Sequence, residues 1–244
     1  MRRAAVWWGV LVGAMVACST GGSPTPATTP TPVPTPFSTL APTVTPTHTS
    51  TPFADSTATP LPSPTPFGCG TRPVDDYTRV PVGEWVVSQR TLAMLGEAQQ
   101  LYDGPNDLLL SITQGSYNPG VGASFGTHDG GGAVDLSVYN QGPEAGLLDE
   151  GQIDVLVLAL RRAGFAAWYR DNDDLYPGSP PHIHAVAIGD AELSDAAQEQ
   201  LTGENGYFHG RNGLPGERGG PDRHGGPVVC PWMVEIGYTD LTQD

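Results

Sequence analysis

Lysine is absent from this sequence, so its basic residues are 11 arginines, set against 26 aspartates and glutamates. The formal net charge is −15 at pH 7. A chain this acidic repels phosphate backbones and anionic lipid headgroups. The composition therefore argues against nucleic acid as a partner, and against charge-driven binding to a membrane surface.

An apolar run of about 20 residues, long enough to cross a bilayer, is also missing. The run over residues 4–17 is shorter and follows a basic start, which is typical of a secretory signal. It ends at Met15-Val16-Ala17-Cys18, which resembles the lipobox of bacterial lipoproteins. Residues 1–18 are therefore predicted to be a lipoprotein signal, with Cys18 lipidated and the chain anchored at the outer face of the cytoplasmic membrane. The alternative is a plain signal cut near Ala17 and a secreted protein.

Residues 19–67 have little that could form a core, because they are nearly all proline, threonine, serine and alanine. Such a segment cannot bury enough apolar surface to offset the entropy of ordering it. It is predicted to be a disordered, extended stalk that separates the folded part from the membrane. Residues 68–244 then remain for one domain, and the lipid anchor is the only membrane contact expected.

Cysteine is scarce, with three in the whole chain. Apart from Cys18, the folded region has Cys69 near its start and Cys230 near its end. A pair of cysteines in an oxidising compartment is most simply a disulfide. The alternative is two free thiols.

Periodicity predicts an α+β fold with a small, mostly antiparallel sheet flanked by helices. Residues 71–85 are expected to be irregular. Helices are predicted over 91–101 with Thr91 as a possible N-cap, over 149–163, and over 194–201 with a serine cap; strands are predicted over 108–113, 133–138, 165–169 and 182–188. Because side chains alternate along a strand, Asp135 should share a face with Ser137, and His182 with His184.

Two stretches carry the candidate metal chemistry. The first holds His128 and Asp135, separated by a run of glycines that could leave room for a substrate backbone. The second holds His182 and His184. Zinc binds imidazole nitrogen and carboxylate oxygen, and a catalytic zinc site uses three protein ligands and one open position. His128, Asp135 and His184 are the predicted ligands, and His182 is predicted to handle a proton beside them. His209 and His224 are expected to be loop histidines outside the site.

The motif His128-x-x-Gly131-x-Ala133-x-Asp135, followed by His184 in a late strand, resembles the zinc signature of the D-alanyl-D-alanine metallopeptidases. These belong with lysostaphin-type enzymes and the Sonic hedgehog domain in one superfamily, the LAS group. The resemblance covers roughly residues 92–188. It implies a hedgehog/D-Ala-D-Ala peptidase-like fold, Zn²⁺ as cofactor, and action on peptide bonds of bacterial peptidoglycan.

The sequence departs from the carboxypeptidase branch of that group at two positions. That branch has a catalytic glutamate three residues before the last zinc histidine, where this chain has Pro181, whereas Pro181-His182-Ile183-His184 looks like the lysostaphin-type arrangement. The carboxypeptidases also carry Tyr-Arg in the loop before the first ligand, where this chain has Tyr117-Asn118. Arg170 could supply the missing arginine.

Gln114, Tyr117 and Asn118 are predicted to line the cleft and bind substrate; the alternative is that they are ordinary turn and strand residues. The leading hypothesis is an exported zinc hydrolase that cleaves peptide bonds in peptidoglycan. A second is a non-catalytic cell-wall or peptide-binding module of the same fold that keeps its metal. A third is a structural metal closed by four protein ligands. The sequence favours no oligomeric state.

Overall fold

A four-stranded antiparallel sheet lies at the centre of the protein, in the order β3-β4-β6-β5. The structure is a computed structural model that describes residues 68–142 and 146–243, all of which belong to one compact unit. The predicted signal, the lipidated Cys18 and the stalk lie outside the described residues. The α+β class is confirmed.

The described residues form six strands and four α-helices, with short 3-10 helices at Gly122–Ser124, Tyr207–His209 and Gly216–Arg218. The strands are β1 (Arg79–Val82), β2 (Trp85–Ser88), β3 (Ile112–Gln114), β4 (Ala133–Ser137), β5 (Phe165–Arg170) and β6 (His182–Ala187). The helices are α1 (Gln89–Leu101), α2 (Glu150–Arg162), α3 (Asp195–Thr202) and α4 (Pro231–Glu235). β1 and β2 pair as a separate antiparallel hairpin.

Two helix starts follow from local capping. Asp149 caps α2 by accepting a hydrogen bond from the backbone N–H of Gln152, whose side chain accepts one from the backbone N–H of Asp149 in return. Ser194 caps α3 through the N–H of Ala197, as predicted. Thr91 was the wrong cap for the first helix, because α1 begins at Gln89 and the hydroxyl of Ser88 accepts the N–H of Thr91.

Two strand predictions were also wrong. Residues 79–88 form the β1–β2 hairpin and are not irregular; Gly83 makes the turn at φ +59°, a conformation that suits glycine. The strand predicted over 108–113 begins only at Ile112. The carboxylate of Asp107 accepts the N–H groups of Leu109 and Leu110, at 2.9 and 3.1 Å, which closes a turn instead.

The sheet has one apolar face and one mixed face. Val134, Leu136 and Ile183 point to the first face and belong to the main core, which α1 and α2 cover. Asp135 and His184 alternate with these residues and point to the second face, as the period of two predicted. The second face therefore carries the polar groups of interest.

The predicted disulfide is confirmed. Cys69 and Cys230 are bonded, with Cα atoms 5.8 Å apart and a sequence separation of 161 residues. Both residues are buried in a second apolar cluster that also contains Trp168 and Trp232. The bond therefore joins the start of the described region to the start of α4.

Over residues 68–142 and 146–243, no helix combines the length and the apolar character that a membrane crossing requires.

Replacing Cys69 and Cys230 together by serine should lower the free energy of unfolding by about 2–5 kcal/mol, because the bond closes a very long loop in the unfolded chain. Urea denaturation of the variant and of the oxidised wild type measures the difference. Wild-type protein that has been reduced and alkylated is the control and should lose a similar amount. Equal stability of oxidised and reduced protein would contradict the prediction.

Candidate metal centre

The register of the sheet brings the predicted ligands of two strands together. Asp135 of β4 lies directly opposite His184 of β6, and His184 lies opposite Trp168 of β5. The indole of Trp168 is buried and lies nearly parallel to the imidazole of His184, with ring centroids 6.1 Å apart. One row of paired residues across the sheet therefore supplies a carboxylate and an imidazole, and the apolar indole of Trp168 packs against the imidazole.

His128 joins this row from the loop before β4. The segment after β3 holds that loop, because the N–H of Asn118 donates to the carbonyl of His128 at 2.8 Å, and the N–H of Tyr117 donates to the carbonyl of Gly130 at 2.8 Å. The carbonyl of Gly115 lies 2.9 Å from Nδ1 of His128. The side chain of His128 is thus buried and oriented by backbone groups.

The glycine run between the ligands serves the protein's own packing. A Cβ atom on Gly130 would lie 2.3 Å from the carbonyl oxygen of Glu192, and one on Gly132 would lie 2.7 Å from the side chain of Leu193. Gly132 also has φ +75°. The expectation that these glycines leave room for a substrate backbone was wrong, because the turn before α3 occupies that space.

The three predicted ligand groups meet at one point. Nε2 of His128 lies 3.3 Å from Nδ1 of His184 and 3.3 Å from Oδ1 of Asp135, and Nδ1 of His184 lies 2.7 Å from Oδ1 of Asp135. Ligands at about 2.0 Å from a tetrahedral ion are separated by about 3.3 Å. His128, Asp135 and His184 could therefore hold a metal ion.

Hydrogen bonds on the far side of each ring assign the tautomers. The amide nitrogen of Gln200 donates to the carbonyl of Gly213 at 3.1 Å, so its Oε1 is the atom that lies 2.8 Å from Nε2 of His184. An amide oxygen only accepts, so Nε2 of His184 carries a hydrogen, and Nδ1 is the nitrogen that would ligate a metal. The carbonyl of Gly115 likewise places a hydrogen on Nδ1 of His128, so that its Nε2 would be the ligand atom.

Nδ1 of His184, Nε2 of His128 and Oδ1 of Asp135 thus converge on one point, where hydrogen bonds to the carboxylate of Asp135 join them. A metal ion bound at this point would displace the hydrogens of those bonds. The chemistry of the donor set therefore fits a metal ion, and the outer partners Gly115 and Gln200 orient the rings as they do in metal sites.

Burial and neighbouring charges shift the pKa values of the three predicted ligand side chains. Burial opposes the charged form of Asp135, but His128 and His184 outweigh it and hold the pKa of this carboxyl well below its usual range. Burial, together with the charges of His128 and Arg170, lowers the pKa of His184 despite the opposing effect of Asp135. Burial also disfavours protonation of His128, but the charge of Asp135 overcomes it and raises the pKa of this histidine.

His182 lies next to the triad without joining it. Its Nδ1 is 2.9 Å from the carbonyl of Pro180, which places the hydrogen there and leaves a lone pair on Nε2. That Nε2 is 4.0 Å from Oδ2 of Asp135. In the described part of the chain, the group that could hold a metal consists of three residues, and His182 lies beside it.

A cavity of about 380 Å³ opens over these groups. Its lining includes His128, Asp135, His182 and His184, together with Gln114 and Arg170 from the predicted substrate-binding set. Burial lowers the pKa of Arg170 to about 10, so its guanidinium stays charged at neutral pH.

Tyr117 and Asn118 are not among the residues that line this cavity. The hydroxyl of Tyr117 donates to the carboxylate of Glu192, and the guanidinium of Arg79 lies 3.8 Å from the centroid of its ring. Both residues hold the His128 loop through their backbone, as described above. His209 and His224 likewise lie outside the metal-binding group.

Sequence reasoning missed the two groups that orient the ligands. Gln200 lies on the predicted third helix, and its position in the last turn of that helix carried no signal of a role. The carbonyl of Gly115 could not be found by any side-chain motif. Both belong to segments that reach the ligands only through the tertiary fold.

Comparison with known proteins gave no significant match to a family model, a curated protein or a solved structure.

Replacing Gln200 by alanine should weaken Zn²⁺ binding about 10- to 100-fold, because Nε2 of His184 loses the acceptor that fixes its tautomer. Competition with a chromophoric chelator measures the affinity. Gln198→Ala on the same helix is the matched control, since Gln198 is exposed, and it should bind Zn²⁺ like the wild type. Unaltered affinity in Gln200→Ala would show that this contact does not orient the ligand.

The affinity for Zn²⁺ should also fall as the pH decreases. A proton on His128 competes with the metal, and its raised pKa lets this competition begin at a higher pH than for an ordinary histidine. Below that pKa the affinity should drop about tenfold per pH unit, and above it the affinity should level off. Chelator competition from pH 8 to pH 5.5 tests this, and a flat profile would contradict it.

Proposed function

We propose that this protein is an exported zinc-dependent hydrolase that cleaves peptide bonds in peptidoglycan. The observation that carries the proposal is the convergence of three ligand groups, His128, Asp135 and His184, with His182 beside them in an open cavity. Three protein ligands leave a coordination position for water, which is the arrangement of catalytic zinc sites.

The chemistry is a hydrolysis in which water adds to the amide carbonyl and the C–N bond breaks. Zinc, when bound, would supply a Lewis acid for the carbonyl and lower the pKa of water to about 7. Nε2 of His182 is the lone pair that accepts the proton of the attacking water, because its Nδ1 is occupied by the carbonyl of Pro180. The same nitrogen can return that proton to the leaving amine.

Asp135 faces both the ligand histidines and the proposed base, His182. Its Oδ1 faces the two ligand imidazoles, whereas its Oδ2 faces His182 at 4.0 Å. A carboxylate at that distance stabilises the imidazolium that forms when His182 takes a proton. Pro181, in the position of the glutamate of the carboxypeptidase branch, is therefore compatible with catalysis through His182.

The substrate and the location rest on the sequence. The motif from His128 to Asp135 resembles peptidoglycan metallopeptidases, and the predicted signal ending at Cys18 supports a location outside the cytoplasm, where peptidoglycan lies. The lipobox favours a lipid-anchored protein over a secreted one. The hedgehog/D-Ala-D-Ala peptidase-like fold is part of the same proposal, which the small antiparallel sheet with flanking helices supports.

A non-catalytic peptide-binding module is the second candidate. One observation favours it: among the described residues, Asp135 is the only carboxylate that lines the cavity, and as a predicted ligand it leaves no second described carboxylate there to act as the base. This module would keep its metal and bind wall peptides without cleaving them. The two candidates differ in the role of His182.

Histidine substitutions test the proposal on purified muropeptides. His128→Ala should lose both bound zinc and hydrolysis, because a ligand is gone. His182→Ala should keep zinc and lose about 100-fold or more in hydrolysis rate, because only the base is removed. Elemental analysis and chromatography of the products measure the two quantities.

His209→Ala is the matched control and should behave like the wild type. Hydrolysis that persists in His128→Ala would reject a metal-dependent reaction. Wild-type protein that binds zinc and muropeptides but releases no product would establish the binding module.

A further inference from the structure

Three aromatic side chains are exposed to solvent among the described residues, and all three line the cavity over the metal centre. These residues, which we call the aromatic rim, are Phe125, Tyr139 and Tyr176, exposed to 39%, 50% and 44%. They come from three separate segments: the loop that leads to His128, the chain after β4, and the β5–β6 loop. Single exposed apolar side chains are ordinary, but exposed rings gathered at one cavity indicate a binding surface.

Phe125 occupies a position that its own backbone disfavours. Its φ is +51°, in the left-handed region where glycine is favoured and bulky residues are rare. It ends the short helix Gly122–Ser124, and its N–H donates to the carbonyl of Gly122 at 3.3 Å. Glycine would make this turn without strain, so the turn itself does not need the phenyl ring. Strain of this kind is concentrated at ligand-binding positions, which suits a ring that faces the cavity.

Contacts with neighbouring segments fix the aromatic rim. The guanidinium of Arg218 lies 4.9 Å from the ring centroid of Phe125, and its Nη1 donates to the carbonyl of Leu175 in the β5–β6 loop. On the other side of the cavity, the side-chain amide of Asn106 donates to the carbonyl of Tyr139 at 2.9 Å. A surface that is ordered before its ligand arrives loses little conformational entropy on binding.

The chemistry of the rim suits a neutral ligand with one apolar face. Among the described residues that line the cavity, the charged side chains other than histidine are Asp135 and Arg170, and both lie on the sheet that forms its floor. The rim itself offers flat rings, and Tyr139 and Tyr176 each add a hydroxyl group at the solvent-exposed opening. A pyranose ring matches this surface, because its C–H groups form an apolar face and its hydroxyl groups lie at the edge.

The arrangement favours a sugar over a membrane or a second copy of this chain. The three rings surround a polar floor that holds Asp135 and His184, so they do not form one continuous apolar patch. A bilayer or a dimer interface over the opening would bury these polar groups without new partners, which is costly. A sugar can cover the rings and leave the floor to the peptide that is attached to it.

We propose that Phe125, Tyr139 and Tyr176 form a subsite for an N-acetylated hexosamine of the glycan strand, so that the substrate is a wall peptide still attached to its sugar. This inference rests on the proposed function and names its substrate class. The rings stack on the C–H face of the sugar, and the tyrosine hydroxyls bond to its hydroxyl or acetamido groups. A sugar bound there holds the attached peptide over the metal centre, which raises its effective concentration at the site.

The test compares a disaccharide-linked muropeptide with the same peptide without its sugars. Calorimetry on zinc-loaded His182→Ala protein measures the binding of both ligands without turnover. The muropeptide should bind about tenfold more tightly or better, because each stacked ring adds about 2- to 10-fold in affinity. A β-1,4-linked tetramer of N-acetylglucosamine, which has no peptide, should bind wild-type protein by itself.

Removal of one ring at a time should weaken binding of the tetramer and of the muropeptide about 2- to 10-fold, and leave binding of the sugar-free peptide unchanged. The variants are Phe125→Gly, Tyr139→Ala and Tyr176→Ala. Phe125→Gly should also keep the melting temperature, because glycine suits the backbone there. Leu158→Ala is the matched control, since Leu158 is 38% exposed on α2 and does not line the cavity.

Equal binding of muropeptide and sugar-free peptide would overturn the inference, whereas cleavage of either by the wild type would still support the proposed hydrolase. A preference for the muropeptide that survives in all three ring variants would overturn it too, because the sugar would bind elsewhere. Binding to neutral phosphatidylcholine vesicles, or a dimer that the ring variants abolish, would also overturn it if no saccharide binds. Saccharide binding that requires the rim, without any cleavage by the wild type, would support the subsite and reject catalysis.

Discussion

The convergence of His128, Asp135 and His184 on one point is the constraint on which the rest of this site depends. Gly115 and Gln200 lie against the outer nitrogens of His128 and His184, so the inner nitrogens face Oδ1 of Asp135. Hydrogen bonds to this carboxylate join the three groups, and a metal ion bound there would displace those hydrogens. The buried indole of Trp168 and the paired strands keep the groups in place.

Because one face of the sheet is apolar and forms the core, this small domain can keep a polar site on the other face. The face toward α1 and α2 is apolar throughout and forms the main core. The opposite face can therefore carry Asp135, His182, His184 and Arg170 in two adjacent rows across three neighbouring strands. The Cys69–Cys230 bond and the second apolar cluster cover the remainder of that face around Trp168. The main core thus lies on one side of the sheet, and the candidate metal centre lies on the other.

Much of this organisation could be predicted from local patterns. The period of two in β4 and β6 put Asp135 and His184 on polar faces, and capping residues marked the starts of α2 and α3. Errors arose where a single side chain overrode the pattern. Asp107 closes a turn inside an apolar run that reads as a strand, and Ser88 starts α1 earlier than the apolar spacing indicates.

The sequence by itself determined the chemical types in the site, the alternation that aligns them, and the pairing of the two cysteines. Only the tertiary structure decided that Asp135 lies opposite His184, that Gln200 and Gly115 assign the ring hydrogens, and that the aromatic rim lines the same cavity. It also showed that Gly130 and Gly132 make room for the turn at Glu192. The reason is physical: alternation and capping act within a few residues, whereas strand register, tautomer and burial depend on groups brought together from distant segments.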